Sequence, residues 1–135
     1  MDHQTYDRPS LETIKGIGRP MTFEAGQKIY QDSYLVGDPC AYLIVEGEVE
    51  LVKAYTPLQK DVFRFGKGDV FGMLEVYVNT ARMTDARAAT QVQVIGFSRV
   101  EFERAMAANL TFPLTCIRIL SKMLRQINLK LKQMP

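Results

Sequence analysis

The chain of 135 residues holds one histidine and two cysteines, and these shortages exclude more than its length does. Nucleophile-plus-base catalysis usually draws on a histidine. The one present, His3, sits in a terminal segment that a fold is not expected to hold rigidly. Cys40 and Cys116 are far apart without metal-like spacing, which argues against a disulfide framework and a four-thiolate cluster. They read as small apolar fillers, and with one histidine they do not make a zinc or haem ligand set. No catalytic residue and no metal ligand is assigned, no cofactor is required, and an enzyme is the least supported class.

Apolar runs are short. Ala41–Val45 falls far below the roughly 20 residues of a membrane-spanning helix. Met1–Asp7 has neither the basic start nor the apolar stretch of a secretory signal, so a cytoplasmic location is expected. Acids are missing after Glu103: residues 105–135 carry five basic residues and none, while residues 1–104 carry twelve Lys/Arg against fifteen Asp/Glu. A basic tail can meet nucleic acid or anionic lipid. It equally complements the dipole at the end of its own helix, and this plainer alternative is preferred. There is no internal repeat and no low-complexity tract.

What is there fits one compact domain of mainly β structure. Up to about Ser98, short apolar stretches are punctuated by Gly26, Gly37, Gly47, Gly66, Gly68, Gly72 and Gly96, a strand-and-turn pattern. Glu46, Glu48 and Glu50 alternate with Gly47, Val49 and Leu51, as on a pleated strand with one wet face, so these acids are expected to be solvated. Val62–Phe65 and Gln91–Ile95 repeat the alternation, and seven or eight strands in an antiparallel sandwich or barrel fit before residue 98.

Residues 1–19 are expected to be a polar segment with one or two helical turns at Ser10–Ile14, and residues 20–111 the barrel. Within it, Ser98 and Glu101 have capping-box spacing and open a short helix at about 98–108. Residues 112–135 are expected to form a C-terminal helix with Pro113 as its first residue. Ile117, Leu120, Leu124, Ile127, Leu131 and Met134 recur at steps of 3, 4, 3, 4 and 3, a heptad seam. The last turns are expected to outrun a small barrel, which favours a homodimer through Ile117, Leu120, Leu124, Ile127 and Leu131 over packing on the chain's own barrel.

The chemically informative stretch is Val70–Thr84. A glycine, Gly72, opens a short segment with unpaired backbone N–H groups, and Arg82 ten residues on can fold back over it, which together suit a small anion. Alternatively, Arg82 pairs with a nearby carboxylate, Glu75 or Asp85.

The series Phe23-x-x-Gly26-x-x-Ile29, Gly37-Asp38, Tyr42-x-Ile44-x-x-Gly47-x-Val49-x-Leu51, Gly68-Asp69-Val70-Phe71-Gly72 and Arg82 resembles the cyclic nucleotide-binding domain family over about residues 20–134. The resemblance implies an eight-stranded jelly-roll barrel (double-stranded β-helix) with C-terminal helices, and a phosphate-binding cassette at Gly72–Thr84. In that family, members that bind cyclic AMP or cyclic GMP usually show Phe-Gly-Glu, the glutamate taking the ribose 2′-hydroxyl. An arginine for the phosphate follows, then a small or hydroxyl residue and Ala. Phe71-Gly72 and Arg82 match. Met73 stands at the glutamate position, and Met83 and Thr84 follow the arginine.

Glu75 is two positions on, a rotation of about 200° along a helical turn, and is therefore expected on nearly the opposite face, unable to replace the missing glutamate. Loss of a charge-assisted hydrogen bond of roughly 1.5–3 kcal/mol implies binding some tenfold to a hundredfold weaker. The candidate ligand residues are Gly72, Met73, Leu74, Glu75, Arg82, Met83 and Thr84. By this resemblance the chain is expected to be a non-catalytic sensor or signalling domain, with weak, altered or absent cyclic AMP or cyclic GMP binding and an unidentified protein partner. One alternative is the ligand-sensing part of a catabolite activator-like regulator. Since the sequence ends at Pro135 without room for a helix-turn-helix, no specific nucleic-acid binding is expected of it. Another alternative is an interaction module with a vestigial pocket.

Overall fold

A computed structural model describes residues 8–33, 39–78 and 81–134. His3, the Gly37-Asp38 pair and residues 79–80 lie outside the described residues. Helix α1 (Arg8–Ile17) is longer than the one or two turns expected and buries Ile14 completely. Eight strands follow: β1 (Arg19–Phe23), β2 (Lys28–Tyr30), β3 (Ala41–Glu46), β4 (Val49–Thr56), β5 (Gln59–Phe65), β6 (Val70–Phe71), β7 (Asp85–Ala88) and β8 (Val92–Phe97). A helical turn and a half, α2 (Met73–Val78), interrupts them, and α3 (Arg99–Ala108) and α4 (Thr111–Gln133) close the chain.

The strands form two antiparallel four-stranded sheets, ordered β1-β8-β3-β6 and β2-β7-β4-β5, the expected jelly-roll arrangement. Alternation decides which side chains face inward. In β5, Phe63 and Phe65 are buried while Val62 and Arg64 face water; in β4, Val49 and Leu51 are buried and Glu50 sits between Arg87 at 2.9 Å and Arg64 at 3.4 Å. Glu46, Glu48 and Glu50 do take the wet side, but one strand does not carry all three. The chain leaves one sheet after Glu46 and enters the other at Val49. It turns at Gly47, where φ is +96° and a Cβ would stand 2.3 Å from the Gln91 carbonyl oxygen, so the corner admits only glycine.

The predicted capping box is formed: the Ser98 hydroxyl accepts from the Glu101 N–H at 3.3 Å, and the Glu101 carboxylate accepts from the Ser98 N–H at 2.8 Å. The rings of Phe97, Phe102 and Phe112, with centroids 5.4–6.4 Å apart, fasten α3 and the start of α4 to the barrel. Helix α4 begins two residues before Pro113, with the Asn109 side chain accepting from the Thr111 N–H at 2.8 Å. Pro113 is therefore the third helical residue rather than the first, still within the turn whose N–H groups have no helical acceptor.

The heptad series divides between two directions. Leu120, Met123 and Ile127 pack against the chain's own core, whereas Ile117, Leu124 and Leu131 are 60%, 69% and 52% exposed. Nor does the helix run free of the barrel, since Lys130 Nζ still lies 4.0 Å from Asp61 of β5. The basic side chains near its C-terminus, Lys130 and Lys132, sit where the helix dipole favours them. Among the described residues, no helix is long and apolar enough to cross a membrane.

Candidate ligand-binding site

The site is built where β6 ends. Gly72 has φ +79°, and a Cβ there would lie 3.1 Å from both Arg82 Nη1 and the Cys40 carbonyl oxygen, so a glycine lets α2 start tight against the arginine. Under it, Tyr30, Tyr42 and Phe71 stack with centroids 5.1–6.4 Å apart, giving the corner a rigid aromatic floor.

Arg82 is among the most enclosed charges of the molecule, 4% exposed. Its Nη1 donates to the Glu75 carboxylate at 2.6 Å and to the Gly72 carbonyl at 2.8 Å, and Nη2 donates to the Cys40 carbonyl at 2.8 Å. The guanidinium carbon lies 4.0 Å from the centre of the Tyr30 ring. Only Nε–H is buried without an acceptor among the described residues. Burial pushes the Tyr30 phenol well above its ordinary pKa, against the pull of Arg82 in the opposite direction, so the ring under the cation stays neutral.

Glu75 does not face solvent. It is 5% exposed and grips Arg82, while Met73, two residues earlier, is 4% exposed. Both side chains are buried, Met73 in the hydrophobic core and Glu75 against Arg82. Of the two alternatives for Arg82, pairing with a carboxylate is realised, and with Glu75; Asp85 instead accepts from the Asp32 N–H at 2.7 Å.

Gly72, Met73, Leu74, Glu75, Met83 and Thr84 all line one cavity of about 300 Å³, so six of the seven candidate residues converge, with Arg82 held directly behind Glu75. Tyr30, Leu51, Lys53, Phe71 and, from α4, Leu120, Met123, Leu124 and Ile127 complete it. None of these was singled out from the sequence as lining a pocket. Tyr30 follows the Phe23-Gly26-Ile29 series and could be suspected from it, whereas Leu120, Leu124 and Ile127 are assigned to the dimer seam by their spacing and Met123 carries no signal. Cys116 is buried in apolar surroundings that push its thiol up to about 12, in keeping with a packing role. Among the described residues, no group of three or more His, Cys, Asp or Glu could hold a metal ion.

No curated protein sequence matches the chain. Solved structures do. The catabolite activator protein of Thermus thermophilus superposes with a TM-score of 0.75 at 16% identity, over 97% of this chain and 62% of that one. The regulatory subunit of a cAMP-independent protein kinase A from Trypanosoma brucei gives 0.65 at 26% identity, over 94% and 44%. A variant of that subunit, with a glutamate changed to alanine, a threonine seven residues later to arginine and the next valine to alanine, is bound to cAMP in its A site. It gives 0.63 at 26% identity, over 87% and 40%. The chain thus spans less than two thirds of each of these proteins. The family model for the cyclic nucleotide-binding domain matches residues 20–109, two thirds of the sequence and both sheets of the barrel, and the chain belongs to that family.

Proposed function

We propose that the chain is a non-catalytic, ligand-sensing domain in which cyclic AMP and cyclic GMP bind weakly or not at all, because its own Glu75 occupies the charge that a cyclic phosphate would need. One observation carries this: the Arg82–Glu75 ion pair at 2.6 Å, with both side chains less than a tenth exposed. An entering phosphate would have to displace a buried carboxylate and leave it unpaired beside a second anion, which costs several kcal/mol. Met73 adds to this by offering no acceptor to a ribose hydroxyl. The Trypanosoma brucei variant supports the same cause. The glutamate removed in it and the arginine installed in it are seven residues apart, as Glu75 and Arg82 are here, and the residue after the arginine, Met83 in this chain, is the third one changed.

Calorimetric titration tests the proposal. Wild-type protein should bind cyclic AMP and cyclic GMP no tighter than about 1 µM (roughly −8 kcal/mol). Glu75→Ala with Met83→Ala should strengthen binding at least tenfold, and Met73→Glu should add to that background while gaining little in the wild type. Submicromolar binding by the wild type, or no gain in a folded Glu75→Ala/Met83→Ala protein, refutes it.

The signal is passed on through protein contacts, and the outward row of α4 supports a homodimer. Leu114, Ile117, Ser121, Leu124, Asn128 and Leu131 follow one another at steps of 3, 4, 3, 4 and 3, all exposed. Asn128, a polar residue within such a row, is the kind that sets register and two-strandedness in helix pairs. The fold likeness to the catabolite activator protein also supports a second reading, in which the chain serves as the sensing part of a longer regulator.

A further inference from the structure

We propose that the cavity between the barrel and α4 is a binding site for a small, uncharged, largely apolar molecule. This rests on Glu75 holding the anion position, as above, and adds the class of ligand that the space in front of it takes. The cavity measures about 300 Å³, at the lower end of the ~300–1,000 Å³ typical of small-molecule sites. Its walls are Leu51 from β4, Phe71 from β6, Met83, and Met123 and Ile127 from α4.

Two lining groups, Glu75 and Lys53, carry charge, and both have partners within the chain, as does Arg82 behind Glu75. Glu75 is neutralised by Arg82; Arg82 is spent on Glu75 and two carbonyls; Lys53 Nζ donates to the Met83 carbonyl at 3.1 Å. Water in such a space finds few partners, whereas an apolar molecule removes hydrocarbon surface from water at ~25 cal/mol per Å². Leu74, Met83 and Leu124, all more than a third exposed, gather at the rim, so the opening is an apolar patch continuous with the interior. Three of the chain's seven methionines, Met73, Met83 and Met123, line it, and this unbranched, polarisable side chain adapts to irregular apolar shapes.

A second copy of the chain is the competing occupant. It is disfavoured because the cavity is recessed behind the inward face of α4, with Leu120, Met123 and Ile127, whereas of the row offered to a partner Leu124 alone reaches the rim and Ile117 and Leu131 are not part of the wall.

The probe is the neutral fluorophore N-phenyl-1-naphthylamine, titrated into purified full-length protein. Saturable enhancement at about one site per chain is expected. Met123→Trp, which fills the cavity, should weaken it at least tenfold; should that variant fail to fold, Leu51→Phe fills the opposite wall and should do the same. Ile117→Asp with Leu131→Asp should leave the probe bound, and millimolar cyclic AMP should not displace it from the wild type. Non-saturable enhancement, indifference to both filling variants, or loss of the probe in the Ile117/Leu131 variant overturns the proposal. Failure here together with a gain of cyclic AMP binding in Glu75→Ala/Met83→Ala overturns the apolar ligand alone. Displacement of the probe by micromolar cyclic AMP overturns both it and the role given to Glu75.

Discussion

Removing the Glu75 carboxylate should destabilise the fold and at the same time create a response to anions. In Glu75→Ala, Arg82 keeps the Gly72 and Cys40 carbonyls and the Tyr30 face but loses the one counter-charge it has within hydrogen-bond reach among the described residues, where its Nε–H is already without an acceptor. Leaving one member of a buried ion pair uncompensated costs ~3–5 kcal/mol. The surviving carbonyls and the cation–π contact place the loss toward ~3 kcal/mol. For a chain of this size 1 kcal/mol corresponds to roughly 3–5 °C in Tm, so circular dichroism should show a melting point lower by about 10–15 °C.

An anion that takes the vacated place should restore much of this. At a hundred times its Kd a ligand returns ~2.7 kcal/mol. Phosphate or cyclic AMP should therefore raise the Tm of Glu75→Ala by several degrees more than that of the wild type. Removing both charges, in Glu75→Ala with Arg82→Met, should be milder than removing one, because no unpaired ion is left behind. The reasoning is refuted if Glu75→Ala melts within about 2 °C of the wild type and neither anion shifts it further than the wild type.

Two other outcomes follow from the helices. Ile117→Asp with Leu131→Asp should sediment as a monomer at concentrations where the wild type is a dimer, with β-type circular dichroism retained since neither side chain is in the core; a wild type that is monomeric at tens of micromolar would remove the homodimer. The hydrogen bond from the Ser98 N–H, with help from Arg19, holds the Glu101 carboxyl below its ordinary 4.5. Its contribution is therefore complete above pH 4.5 and is lost as pH falls through the depressed value, and Ser98→Ala should cost ~1 kcal/mol at neutral pH. Equal acid sensitivity of Glu101→Gln and wild type between pH 5 and 3 would contradict it.

The barrel was legible because its signals are local. Period-two alternation placed β4, β5 and β8, and Ser98 with Glu101 placed the start of α3, since each depends on neighbours a few residues away. The Glu46–Leu51 stretch misled for the same reason. Alternation persists through a change of sheet, and only the close approach of Gln91, far along the sequence, reveals that Gly47 is a corner. In α4 the heptad spacing was real, but one spacing ran through two faces of the helix. A helix resting on a barrel repeats its apolar residues on the barrel side, and a row turned outward repeats at the same interval, so Leu120 and Ile127 merged with Ile117, Leu124 and Leu131 into a single seam.

At the site, six of the seven candidate residues gather round one cavity, and the rotation argument left open what Glu75 would meet. A rotation of about 200° between residues two apart says only that Met73 and Glu75 point differently. It does not say which direction is empty. Met73 and Glu75 are both buried, and the decisive fact is what stands opposite Glu75. That is Arg82, whose guanidinium lies so close to Gly72 that a Cβ there would stand 3.1 Å from Nη1. Once the guanidinium is buried against the Cys40 and Gly72 carbonyls, a carboxylate is the group that stabilises it most in this environment. A glutamate in this position therefore serves as the resident counter-ion of Arg82, and under the function proposed above the missing ribose acceptor at Met73 is the lesser of two obstacles to a cyclic nucleotide.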